Sequence, residues 1–353
     1  ISGQRFDGCM IVEDDNLNFD FDGVFDFNQN VPVFDFVMDL KRANLIALNL
    51  DDKYKLSELS FLLKANFTGS NIDNLAGSIW LEDGSYRNEN GELELKSFEL
   101  KTFNDGYENL QLRSDFLDAD FKGSYQFYNL KNSFFKIVSH YFPSVNLDFN
   151  KKKDENIFDF SGKLKDFAKI TQVLLPDFYF GPAEFKGRIN SEKNELFLNA
   201  EFPRVEYQGT VFSNVRLDLL TDGSLKFRNR FGEIQLGEGF SVYNLALLCS
   251  GANDQFDTKL SWNNYEERTY SGLISAVARL RKDKKAGLHL DAEILPSKIF
   301  LADSLWRMNP SHVTIDSSQI EVQDFCIMNK LQKIKADGLI SKNKENKIGR
   351  AHV

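Results

Sequence analysis

Proline is scarce, at seven in 353 residues. Proline removes a ladder donor from a strand, so its scarcity leaves the chain free to be mostly sheet. Cysteine is scarcer still: Cys9, Cys249 and Cys326 are far apart and odd in number. With no CxxC pair, neither a zinc site nor a disulfide framework is signalled. The histidines are His140, His289, His312 and His352. None has a second histidine at metal-ligand spacing, and no HExxH occurs. An excess of positive charge is also missing, since 43 Lys and Arg face 52 Asp and Glu for a net charge of -9. Without a basic stripe to neutralise phosphates, nucleic acid is excluded as a partner. The longest unbroken apolar run, residues 245–249, is far short of the ~18 residues that span a bilayer.

Catalytic signatures are missing too. There is no GxSxG elbow and no Walker loop, and Gly237 and Gly239 make a lone pair of the kind found in turns. One metal candidate stands out. Asn18, Asp20 and Asp22 before Gly23 imitate the opening of a calcium loop, but its twelfth position is Gln29, where a bidentate Glu is required. The phenylalanines interleaved with them fit instead an outward Asx row on a strand. The local basic runs, Lys151 to Lys153 and residues 279–285, read as solvated hairpin turns. The expectation is a chain that is not an enzyme and has no cofactor or metal.

What the chain does have is phenylalanine: 33 of them, with aromatics at 13% and hydrophobic residues at 42%. Aromatic residues favour pleated surfaces, and here they alternate with polar ones. Phe19, Phe21, Phe25 and Phe27 follow this pattern, as do Phe34, Phe36, Met38 and Leu40. So do Leu93 and Leu95, then Leu196, Leu198 and Phe202, then Leu217 and Leu219, and finally Leu288, Leu290 and Ile294. Period-2 alternation predicts half-buried antiparallel strands with one apolar and one wet face. Asp83-Gly84, Asn90-Gly91, Asp105-Gly106 and Asp222-Gly223 are placed as tight turns between them. Two stretches switch to helical spacing, Leu130–Tyr141 and, more weakly, 166–175, the second stopped by Pro176. Two short helices cannot cover some twenty strands. The apolar face therefore meets itself, as in a closed sandwich or adhesin, or meets something that is not this protein.

The expected fold class is all-β: a long curved antiparallel β-groove with one or two short amphipathic helices. Residues 1–128 form a groove segment, 129–142 a helix, and 143–345 continue the groove. Residues 346–353 are expected to be a non-native or disordered tail, since 348–353 read like a translated sequencing adapter. With Ile1 rather than Met at the start, both ends read as edges of a fragment.

The strand sequences also resemble the TamB family of the translocation and assembly module, in its Bacteroidota form. One stretch runs from Phe19, Phe21 and Gly23 through Phe34, Phe36, Leu40 and Leu45 to Leu50, Asn71, Leu75 and Gly77. A second holds Leu112, Phe116, Asp118, Ala119, Gly123, Tyr125 and Phe127. A third holds Ser304, Trp306, Pro310, Ile315, Ile320, Gly338 and Ser341. The resemblance implies a taco-shaped β-groove bridging the periplasm. It implies an inner-membrane anchor through an N-terminal helix outside this sequence and docking on a TamA-like outer-membrane barrel. It further implies a part in phospholipid movement, outer-membrane protein assembly, or both, with no catalytic residues. The phospholipid acyl chains would lie along the apolar residues named above.

Overall fold

Alternating side chains commit a backbone to extended strands, and the chain is 67% strand and 9% helix. The computed structural model describes residues 4–145, 156–237, 239–266, 269–283, 287–341 and 348–352. In chain order the strands begin β1 (Arg5–Glu13), β2 (Leu17–Asp26), β3 (Val33–Asn44), β4 (Ser57–Thr68), β5 (Ala76–Asn88) and β6 (Gly91–Asn104). Then come β7 (Glu108–Ser114), β8 (Leu117–Ser124), helix α1 (Leu130–Tyr141), β9 (Ile157–Leu164) and helix α2 (Phe167–Leu174). They are followed by β10 (Phe178–Phe180), β11 (Ala183–Asn190), β12 (Glu195–Tyr207), β13 (Thr210–Thr221), β14 (Leu225–Leu236), β15 (Ser241–Ala252) and β16 (Gln255–Asn263). The last are β17 (Ser271–Asp283), β18 (Gly287–Ile294), β19 (Ser297–Leu301), β20 (Ser304–Met308), β21 (Ser311–Ile315), β22 (Gln319–Met328), β23 (Lys333–Ser341) and β24 (Ile348–His352).

The chain divides into two compact units. The first is Ile1–Leu130, Glu155–Arg188 and Phe202–Gln208; the second is Lys131–Asp154, Ile189–Glu201 and Gly209–Val353. In the first unit, β1 to β9 form an antiparallel meander in which each strand pairs with the next. Nine strands at ~4.8 Å spacing extend the ladder to roughly 38 Å. In the second unit, β13 to β18 do the same. β17 is long enough to pair with β18 at one end and β19 at the other. A two-residue turn at Ala302 and Asp303, both at positive φ (50° and 66°), closes β19 onto β20, as a type I′ turn requires. β21, β22 and β23 continue the ladder. β24 pairs with β23, within the stretch read from sequence as a tail. The fold is all-β and antiparallel with two short helices, and each unit is consistent with a segment of curved β-groove.

Both helices cap sheet ends. α2 seals its side of the first unit with Val173 and Thr171, which are buried. Asn88 and Asn90, at the β5–β6 turn, each donate from Nδ2 to the Val173 carbonyl at 3.1 Å. That carbonyl is one of those a helix leaves without an internal partner at its C-terminus. Asn88→Ala is expected to cost about 1 kcal/mol and to loosen α2 first, read as faster amide hydrogen exchange in residues 167–174. In the second unit Ile137 of α1 is fully buried, and Phe142 just beyond it stacks on Phe256 at 4.4 Å. Asp254, in the β15–β16 turn, accepts from the Ser144 amide and hydroxyl at 2.9 Å.

Two expectations about turns are corrected. Asp83-Gly84 lies inside β5 rather than between strands, where Asp83 takes φ 51° and the β4–β5 register shifts by one residue. It is a β-bulge, which uses the same left-handed backbone that a turn does. The basic run at 279–285 begins inside β17, where Arg279 pairs across to Asp291 and Arg281 to His289. The other run, at 151–153, lies outside the described residues.

Glycine lets neighbouring strands come close. Gly77 (φ 138°) faces Phe67, and a Cβ there would sit 2.3 Å from the Asn66 carbonyl oxygen and 2.6 Å from Phe67 Cα. Gly23 (φ 151°) faces Phe36 in the same way, with Asp35 O at 2.3 Å. In both pairs the partner strand's backbone and Phe Cβ occupy the space a side chain would need.

Candidate apolar binding face

Following the register strand by strand separates two faces in the first unit. One row reads Met10, Phe21, Met38, Leu63, Leu81 and Phe98 across β1 to β6. The adjacent row, one residue over, reads Cys9, Asp22, Val37, Lys64, Trp80, Glu99 and Arg113. Phe25, Phe34 and Phe36 share the first face with Phe21, their ring centroids 4.9–5.7 Å apart. Phe27, just past β2, meets Phe34 edge-on at 5.7 Å. Phe19 faces Leu40, which faces Phe61. Leu93 faces Tyr86, and Leu95 faces Gly84. Phe202, from the part of β12 in this unit, lies 6.4 Å from Phe180.

The second unit repeats the division. Asn199 and Glu201 of β12 reach Asp218 and Arg216 of β13, so Leu196 and Leu198 occupy the opposite face. Leu219, Phe227, Cys249, Thr258, Ala276 and Ile294 make one apolar row. Leu217, Asn229, Leu247, Leu260 and Ile274 make its neighbour. Leu290 faces Leu280 and Ile315, and Leu288 faces Lys282. All eighteen residues named from the sequence lie on strands or immediately beside them, most of them opposite apolar residues and Leu217 and Leu288 opposite Asn229 and Lys282.

The wet faces carry ion pairs. Lys41–Asp20 (2.6 Å), Lys64–Glu82 (2.8 Å) and Lys122–Asp105 (3.0 Å) lie in the first unit, and Arg281–Asp291 in the second. Exposed pairs of this sort stabilise little, roughly 0–1 kcal/mol each; they mark which face is solvated. Hydrogen bonds from Arg42 and Arg87 hold the Glu58 carboxyl below its usual range. The Asn109 side chain and Lys122 do the same for Asp105. Burial pushes the Tyr125 hydroxyl up to about 12. Asp20 and Asp22 of the calcium-like stretch are occupied, by Lys41 and by the Cys9 thiol. No group of three or more potential metal-ligating residues occurs among the described residues.

The apolar faces are not packed away. Of the eighteen residues, only Phe21, Leu40 and Leu196 are buried, Phe27 and Leu288 are exposed, and the rest lie between.

Two kinds of feature escaped the sequence reading. The alternation slips where Leu93 and Leu95 give way to Phe98 and Leu100, a spacing of three that coincides with the Asp83 bulge on the neighbouring strand. The same slip separates Phe212 from Val215, with Asn214 at φ 52°, and Val242 from Leu245, with Asn244 at φ 50°. A spacing of three at an Asn or Asp was the available signal. The second is Asn229, a polar residue in an apolar row whose Oδ1 is buried without a partner, an arrangement that costs ~1–3 kcal/mol.

No family model, curated protein or solved structure matches the chain.

Proposed function

We propose that this chain is a stretch of a passive conduit for lipid acyl chains. The observation that carries the reading is the apolar face in each unit, continuous across strands and left half-covered. Each CH2 removed from water contributes ~0.8 kcal/mol, so a ~16-carbon tail gains on the order of 12 kcal/mol on such a face. Successive strands offer similar surface, so displacement along the ladder changes that energy little, and the headgroup stays in water. Holding a tail firmly without fixing its position requires no catalytic step. The resemblance to the TamB family supports the same reading. It adds a periplasmic setting, an inner-membrane anchor, a TamA-like outer-membrane barrel as partner, and a share in outer-membrane protein assembly.

Tryptophan placement supplies the test. Trp262 faces Gly272 in an apolar row of the second unit, and Trp80 stands between Lys64 and Glu99 on the wet face of the first. Variants retaining only one of these tryptophans are titrated with a phospholipid brominated on its acyl chains. Trp262 fluorescence is expected to be quenched and Trp80 fluorescence spared. Equal response of the two, or none from Trp262, contradicts the conduit and favours a closed sandwich.

A further inference from the structure

Asn90-Gly91 is the single Asn-Gly pair in the chain, and the fold sets it where the loss of one amide has a mechanical consequence. Glu89 and Asn90 form the two-residue turn between β5 and β6, with Asn88 paired to Gly91 across it. Asn90 is exposed to water, whereas Asn88 is buried. The Asn90 carboxamide donates from Nδ2 to the Val173 carbonyl at 3.1 Å, beside the bond from Asn88 Nδ2 to the same oxygen. Val173 is the penultimate residue of α2, so its carbonyl lies at the negative end of the helix dipole. Two amide donors thus fasten α2 to the end of the sheet. One of them stands where a side-chain amide is chemically least protected. Glycine follows it, so no side chain at position 91 obstructs the approach of that residue's backbone nitrogen to Asn90 Cγ.

We propose that Asn90 is a site of spontaneous deamidation, and that the change loosens α2 on the first unit. The Gly91 nitrogen attacks Asn90 Cγ. A nitrogen–Cγ bond forms, the Cγ–Nδ2 bond breaks, and ammonia leaves with the proton of the Gly91 amide. Water then opens the cyclic imide. Breaking the new nitrogen–Cγ bond leaves aspartate at position 90; breaking the bond to the backbone carbonyl leaves isoaspartate, whose main chain runs through Cγ. One water enters and one ammonia leaves, and nothing is oxidised or reduced. Either product replaces the amide donor with a carboxylate. An anion then faces a carbonyl oxygen and the negative end of a helix, where an N–H stood before. Isoaspartate also adds a main-chain atom to a turn of two residues, which strains the pairing of Asn88 with Gly91. Asn88 keeps its own bond, so α2 loosens rather than detaches. The site is independent of what the apolar face holds.

The test follows the whole protein as it ages in mildly alkaline buffer. Samples are digested and their peptides resolved by mass spectrometry, with isoaspartyl methyltransferase labelling to separate the two products. The peptide holding Asn90 is expected to convert from amide to acid before any other asparagine peptide. The conversion is expected to speed up as pH rises, because the attacking nitrogen must lose its proton. The effect on α2 is read by amide hydrogen exchange over residues 167–174. Asn90→Ala, which only removes the donor, is expected to speed that exchange about 3-fold. Asn90→Asp, which adds the charge, is expected to speed it about 10-fold, and the aged protein to match or exceed it. An Asn90 that stays intact while other asparagines react overturns the site. Exchange in Asn90→Asp no faster than in the unmodified protein overturns the coupling to α2, even where the modification occurs.

Discussion

Gly77→Val is expected to destabilise the first unit by about 4 kcal/mol or more, the range reserved for severe backbone and packing defects. Two costs combine. Gly77 sits at φ 138°, which a β-branched residue does not adopt without strain. Its new Cβ would also fall 2.3 Å from the Asn66 carbonyl oxygen and 2.6 Å from Phe67 Cα. Those atoms belong to the backbone of the paired strand, so no side-chain rotation relieves the clash. The β4–β5 ladder must open. Gly106→Ala provides the comparison. That glycine has φ 101° but nothing within 4 Å of a built Cβ, so only the backbone cost remains, roughly 1–2 kcal/mol. Chemical denaturation of both variants measures the difference. Equal stabilities would mean that the close approach of β4 and β5 is not what holds this part of the sheet.

The second large effect separates binding from folding. Phe36→Asp in the first unit and Leu198→Asp in the second put a carboxylate on the face proposed to hold acyl chains. Both positions are half-covered, so the new charge keeps access to water. The expected loss of stability is only about 1–2 kcal/mol, from apolar area no longer buried. Lipid retention behaves differently, because a bound chain must lie against an ion that it would desolvate. Co-purified lipid, weighed by mass spectrometry of solvent extracts, is expected to fall about tenfold or more. Asp35→Asn, next to Phe36 but on the wet face, is expected to change neither quantity. In a closed sandwich the same aspartates would be buried charges costing several kcal/mol, and the variants would unfold before any question of lipid arose. Folded variants that keep their lipid would remove these residues from the binding face.

Much of this could be read from residue order. Phe19, Phe21 and Phe25 predict a strand and a face because side chains in a strand alternate between faces, and that rule is local. The helix at Leu130–Tyr141 declares itself by the same kind of local spacing. The breaks in alternation at Asp83, Asn214 and Asn244 were harder to read. A left-handed residue that looks like a turn in one strand is a bulge when a partner strand continues past it, and the partner is remote in sequence. For the same reason the basic run at 279–285 read as a turn although Arg279 and Arg281 lie in β17.

Sequence alone thus determined the class of structure and the parity of its faces, because extended geometry and side-chain alternation follow from neighbours along the chain. Tertiary structure decided what those faces meet. Whether Phe36 is sealed in a core or left half-covered depends on which surfaces approach it, and alternation is the same in either case. The isolation of Asn229 was invisible for that reason too. An asparagine is ordinary in a list of residues; only the pairing of β14 with β13 and β15 surrounds it with Leu217 and Leu247 and leaves its oxygen without a donor.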